Sequence, residues 1–176
     1  MIRVPKLNVT DLLTAGVKVI GTHEGFRAMK YKDTKGIWSI GYGFNLESGT
    51  FTPAQVEKWK TKGITVAEAD AVLATHIQKT LAYLNKIGWF KELDLPRQLA
   101  ILDMTYNMGN GWIDRWSNTV GFIRAKSYFV AARAIARSAY AKQVGLRAKR
   151  NYFALVEGYY PDLSANATAI LKTYEV

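Results

Sequence analysis

The chain has 176 residues, 49% of them apolar and 22% charged, which excludes a disordered or low-complexity protein. It has no cysteine, so disulfide stapling, thiolate catalysis and cysteine-bound metal are excluded as well. The formal charge of +10 calls for an anionic partner or surface, and the excess sits late: 9 basic and 3 acidic groups over 121–176, against 6 and 6 over 61–120 and 9 and 5 over 1–60.

In chain order, the apolar stretch Leu12 to Ile20 is interrupted by Lys18, is too short to span a bilayer and lacks the shape of a cleavable signal. Asn8 or Thr10 is expected to cap a helix that runs towards Glu24. Leu13, Val17 and Ile20 recur at helical spacing, and Glu24 continues that inward face. A carboxyl placed there is expected to be partly desolvated and, at the negative end of the helix dipole, to hold a proton near neutral pH. Gly25 lets the backbone leave the helix. Asp33-Thr34-Lys35-Gly36 is a turn between Met29–Tyr31 and the alternating run Ile37–Tyr42, so a small antiparallel sheet is expected up to about Leu46, with the turn carboxylate ionised.

Thr52-Pro53-Ala54-Gln55 starts a helix with proline at its first position. Thr65 to Ile87 carries Val66, Ala69, Val72, Leu73, Ile77, Leu81 and Leu84 at helical steps, which makes a helix of about twenty residues, roughly 30 Å long and able to join two lobes. From Pro96 onward every segment has helical character. Arg97–Met108 is apolar on several sides, Gly109-Asn110-Gly111 breaks it, Ser117-Asn118-Thr119 is expected to cap the next segment, and Ala125–Ala141 and Arg147–Glu157 follow. Residues 159–176 form a tail of no assigned structure. The fold class expected is α+β and mostly helical: one domain with a small antiparallel sheet in an N-terminal lobe (about 10–64), a connecting helix (about 65–87) and an all-helical C-terminal lobe (about 88–176).

Two carboxyl groups in opposed environments, one ending a helix and one heading a hairpin turn, are what glycosidic cleavage requires: one gives a proton, the other handles water or the developing cation. Their setting is the string His23-Glu24-Gly25, Tyr31-Lys32-Asp33-Thr34-Lys35-Gly36-Ile37-Trp38-Ser39-Ile40-Gly41-Tyr42-Gly43. This string resembles the catalytic signature of the phage-type lysozymes, the family of the T-even phage lysozyme and many phage endolysins. Ile64-Thr65-Val66-Ala67-Glu68-Ala69 is similar to the start of that family's inter-lobe helix, and Ala100–Gly109 to its core helix. Trp116-Ser117-Asn118-Thr119 is similar to the following cap, and Arg147-Ala148-Lys149-Arg150 to a basic helix start. The likeness spans about residues 10 to 158.

The resemblance implies a muramidase with no metal or organic cofactor, hydrolysing the β-1,4 bond between N-acetylmuramic acid and N-acetylglucosamine, with the peptidoglycan strand held between two lobes. Glu24 takes the general acid's place and Asp33 that of the second carboxylate, with inversion implied. Ser39 stands where the family usually has threonine; either hydroxyl can hold a water, but serine lacks the methyl that stiffens the rotamer. Phe44 stands where many relatives have histidine, and is assigned to packing. Arg147 is a supporting neighbour of Glu24 by family analogy; Arg150 has a basic counterpart in relatives, but His23 occupies the place of its acidic partner. Asn107, Ser117, Asn118 and Thr119 have the chemistry to hydrogen-bond an amino sugar, or else to cap helices. Trp38, Tyr42, Trp112 and Trp116 offer ring faces to sugars, or else to the core.

His23 and His76 are too few and too far apart in sequence to bind a metal, and Gly41-Tyr42-Gly43 lacks the context of a phosphate loop. The basic residues from Arg124 to Arg150 form either a solvated face or an attraction to anionic wall polymers or an outer-membrane surface. A nucleic-acid partner is not expected, because no binding motif accompanies the charge. The expected protein is a monomeric endolysin, made in the host cytoplasm and acting on the periplasmic wall after membrane permeabilisation; a virion-associated wall enzyme fits equally. The competing classes are a catalytically silent wall-binding module, a membrane-disrupting basic protein and, among enzymes, a lytic transglycosylase.

Overall fold

The computed structural model of the protein describes residues 6–8, 10–161 and 163, so most of the tail over 159–176 lies outside the described residues. The order of elements is α1 (Leu12–Glu24), β1 (Arg27–Lys32), β2 (Trp38–Gly41), β3 (Phe44–Asn45), α2 (Pro53–Lys62), α3 (Val66–Leu84), α4 (Gly88–Lys91), α5 (Leu95–Met108), α6 (Trp112–Arg115), α7 (Ser117–Arg124), α8 (Tyr128–Ala136), α9 (Ala139–Val144) and α10 (Leu146–Glu157). The protein is thus α+β and mostly helical, with one small antiparallel sheet near the N-terminus. No described helix is long and apolar enough to cross a membrane.

Two compact units divide the chain: Val17–His76 is one, and the residues up to Gly16 together with those from Ile77 onward are the other. In the first unit the strands pair in the order β1-β2-β3, with Tyr31 opposite Ser39, Lys32 opposite Trp38 and Ser39 opposite Asn45. Its core is Val19, Ile20, Ile40, Phe44, Leu46, Trp59, Ile64, Ala69 and Leu73. Thr52 and Gln55 close a reciprocal capping box at the start of α2, where the sequence predicts a helix start, and Thr65 and Glu68 close a second one at the start of α3.

In the second unit every residue from Leu99 to Thr105 on α5 is buried, so this helix is covered all round, chiefly by α10. Arg97 bonds Asp94 at the N-cap of α5, donates from Nε to the Leu155 carbonyl (2.8 Å), and lies over the Tyr128 ring. One guanidinium therefore ties α5 to the C-terminal turn of α10.

Three sequence expectations are corrected. The cap of α1 is Asp11, not Asn8 or Thr10: its carboxylate accepts the Thr14 N–H at 2.7 Å, and the bonds from Thr14 hold it below its ordinary value. The run Ala125–Ala141 is not one helix, because Ser138 donates to the Ile135 carbonyl (2.6 Å) and accepts the Ala141 N–H (3.2 Å), ending α8 and starting α9. Ser117-Asn118-Thr119 is the first turn of α7 itself, whose N-cap position is Trp116 and has no side-chain cap bond.

Gly63 ends α2 with φ 77° and ψ −177°, backbone that only glycine adopts without strain, and a Cβ there would lie 2.6 Å from the Ala28 carbonyl oxygen. That oxygen already accepts the Ile64 N–H, so it has no room to move. Gly63→Ala is expected to lower stability by about 2 kcal/mol or more, read from the urea midpoint. Glu68 is held down at about 2 by Lys58 and by its bonds to Thr65. A carboxyl depressed in the folded state contributes fully above its unfolded value near 4.5 and loses that contribution as pH falls towards about 2. The difference in melting temperature between wild type and Glu68→Gln should therefore shrink over that window, and at neutral pH it should shrink with added salt.

Candidate active site

Glu24 is the last residue of α1, and Gly25, at φ 74°, turns the chain away towards β1. The glutamate is exposed, so the partial burial expected from the helical pattern is not what the fold provides: the buried face of α1 in this unit is made by Val19 and Ile20, and the pattern runs out at the helix end.

Asp33 heads the β1–β2 turn. Its Oδ1 accepts both the Lys35 and the Ile37 N–H (2.8 and 2.9 Å), and its own N–H donates to the Ile37 carbonyl (2.9 Å). This is the local hydrogen bonding that makes aspartate a turn residue, and here it fixes the carboxylate rigidly. Oδ2 has no protein partner among the described residues. Ser39 is central on β2, buried between Tyr31 and Asn45, and its hydroxyl likewise takes no protein partner among the described residues. Trp38 is half-buried, with the Lys30 and Lys32 ammonium groups 5.2 and 5.4 Å from its ring centre.

Tyr42 ties the β2–β3 corner to α3. Its hydroxyl donates to Asp70 Oδ1 on α3 at 2.7 Å, and its ring packs edge-on against Phe26 and Phe44. A Cβ on Gly21 would lie 3.1 Å from Tyr42 Cζ, so the absence of a side chain there lets α1 approach the ring. Burial, then the bond to Asp70 and its charge, push the Tyr42 hydroxyl up to about 12. Phe44 is buried, 5.6 Å from the His76 ring and 6.2 Å from Phe51, in keeping with the packing role the sequence assigns it.

In the other unit, Ser117, Asn118 and Thr119 line an open pocket of about 300 Å³ together with Arg115, Trp116, Ala134 and Ser138. Thr119 is buried, whereas Asn118 and Ser117 face solvent. Asn107 is exposed on the last turn of α5. Trp112 is core: fully buried, it donates from Nε1 to Thr105 Oγ1 at 3.0 Å.

Arg147 has a partner that sequence reading misses. Its Nε lies 3.1 Å from both oxygens of Asp103, and a terminal nitrogen lies 2.8 Å from Oδ1. Asn151 donates to Asp103 Oδ2 (2.7 Å) and accepts from the Tyr160 hydroxyl (3.0 Å). The available signal was an aspartate, Asp103, in the middle of the apolar run Ala100–Met104, since a carboxylate in such a place must be paired. Among the described residues no three His, Asp or Glu side chains gather as a metal site would need.

The Phage lysozyme family model matches residues 21–152, which takes in Glu24, Asp33 and Ser39 and runs on to Arg147. The chain belongs to the phage lysozyme family. It is accordingly a glycosidase of the lysozyme and endolysin type, cleaving peptidoglycan and acting on the bacterial cell wall.

In this phage lysozyme the buried ion pair is open to test. Asp103→Ala leaves the Arg147 guanidinium and the Asn151 amide without their carboxylate, and should cost about 3–5 kcal/mol in equilibrium unfolding. Tyr160→Phe removes one neutral hydrogen bond from the same network and should cost about 1 kcal/mol.

Proposed function

We propose that this phage lysozyme is an N-acetylmuramidase, hydrolysing the β-1,4 bond between N-acetylmuramic acid and N-acetylglucosamine, and that Glu24, Asp33 and Ser39 carry the reaction. The observation behind this reading is that one compact unit holds an exposed carboxyl at a helix end, a second carboxylate fixed by two backbone N–H groups, and a strand hydroxyl with no protein partner among the described residues.

Glu24 protonates the bridging oxygen as the glycosidic bond breaks. A water held by the Ser39 hydroxyl and by Asp33 Oδ2 attacks the anomeric carbon from the opposite face, passing its proton to Asp33, and the product anomer is inverted. Trp38 offers a ring face to a sugar; Asn107, Ser117, Asn118 and Thr119 have the chemistry to hydrogen-bond the acetamido and hydroxyl groups of an amino sugar. Tyr42, whose hydroxyl and ring are already engaged, acts by positioning. Arg147 acts as a support held in place by Asp103.

The rest of the reading concerns setting. The protein works as a monomer, accumulates in the infected cytoplasm, reaches the wall through a separate membrane lesion and lyses the host. Its basic surplus draws it to anionic wall or outer-membrane surfaces.

The test is release of reducing ends from purified peptidoglycan. Glu24→Gln keeps the shape and should lose a factor of about a hundred or more. Asp33→Asn keeps an oxygen for the two turn bonds and should lose activity with an unchanged circular dichroism spectrum. Borohydride reduction of the new ends should yield muramitol; glucosaminitol would overturn the bond assignment, anhydro-muramyl ends would overturn hydrolysis, and full activity in Glu24→Gln would overturn the acid.

A further inference from the structure

Between Asp114 and Glu157 the chain contains no acidic residue, while it carries nine Lys and Arg. Two of the nine are engaged inside the fold: Arg147 with Asp103, and Arg150 with the Leu163 carbonyl. Arg133, Arg137 and Lys142 are exposed and form no ion pair among the described residues.

On α8 the inward face is Ala131, Ala132 and Ile135, all fully buried. The outward arc holds Phe129 at 54% exposure and Val130 at 45%, with Arg133 and Arg137 beside them. The Arg133 guanidinium lies 5.7 Å from the Phe129 ring centre. One turn beyond Arg133, Ala136 enters the wall of a pocket of about 160 Å³ whose other walls include Ala141, Ala148, Lys142 and Lys149. Phe122, at the far end of α7, is 38% exposed. Adjacent exposed apolar side chains beside exposed cations offer the two chemistries that a contact surface uses.

We propose that the outward face of α8, with Lys142 beside it, docks on an anionic lipid bilayer, Phe129 and Val130 entering the headgroup–acyl boundary while Arg133, Arg137 and Lys142 meet lipid phosphates. This refines the attraction to anionic surfaces proposed above, and rests on the wall-enzyme reading only for its setting. Charge complementarity decides the occupant's sign, and the apolar pair decides its class. A nucleic acid would satisfy the cations but gives Phe129 and Val130 no apolar layer to enter, whereas the bilayer interface supplies both.

The experiment is co-sedimentation of the full chain with phosphatidylcholine vesicles, with and without roughly a quarter of phosphatidylglycerol, near physiological salt. Wild type should bind the anionic vesicles at least about tenfold more tightly than the neutral ones. Phe129→Ser/Val130→Ser should lose about tenfold on anionic vesicles with binding to a DNA duplex unchanged, and Arg133→Glu/Arg137→Glu should lose both. The apolar double variant should cleave lipid-free peptidoglycan at the wild-type rate, which also reports that it is folded. Equal binding to both vesicle types, wild-type vesicle binding by the apolar variant, or loss of DNA and vesicle binding together in that variant would overturn the proposal. If wild type binds anionic vesicles but releases no reducing ends, the muramidase reading fails and the docking face stands.

Discussion

The 2.7 Å hydrogen bond from Tyr42 to Asp70 is the constraint on which the unit of residues 17–76 depends. It anchors the β2–β3 corner to α3, and the ring above it sets how closely α1 approaches through Gly21. Glu24 follows Gly21 by less than one helical turn, and Ser39 is held on β2 by its pairing with Tyr31 and Asn45. Asp33 is fixed independently by the turn it heads. The side chains proposed for the reaction thus take their positions from packing and backbone bonds, with Glu24 exposed, Asp33 half-buried and Ser39 buried in the sheet.

The second unit is organised by a buried charge. Asp103 is fully buried on α5, and it is tolerable there because Arg147 and Asn151 on α10 together supply donors to both oxygens. Asn151 then passes the connection to Tyr160, whose carbonyl accepts the Leu7 N–H at 2.8 Å. The hydroxyls of Tyr140 and Tyr160 are pushed up, first by burial and next by the Asp103 charge, so both remain neutral; Tyr160 donates to the Asn151 side-chain oxygen, and Tyr140 accepts from the Asn151 amide.

Local chemistry was legible in the sequence where it is self-contained. The Asp33 turn, the exit at Gly25, the helix start at Thr52-Pro53 and the buried run of α5 follow from residue types at short spacing, and all are present. What failed was what depends on a neighbour's decision. Asp11 outcompetes Thr10 as a cap because it reaches the Thr14 N–H, and Ser138 breaks an alanine-rich helix because its hydroxyl finds the Ile135 carbonyl. The periodic pattern that puts Glu24 on the buried side of α1 ends one turn earlier, and the glutamate is exposed. The Asp103–Arg147 pair joins residues 44 apart, and Tyr42–Asp70 residues 28 apart, so no window of periodicity contains either.

The division of the chain carries a consequence for how it is made. Residues 17–76 are contiguous, so the unit bearing Glu24, Asp33 and Ser39 has its internal contacts available once that stretch has left the ribosome. The other unit is interrupted: Leu7 pairs with Tyr160 and Lys6 bridges to Pro161, so the earliest residues wait for some of the last. Closing so long a loop is entropically slow relative to local helix formation. During synthesis Glu24, Asp33 and Ser39 are thus placed within a nascent chain whose helical remainder is still incomplete, and completion of that remainder is gated by emergence of the segment around Tyr160.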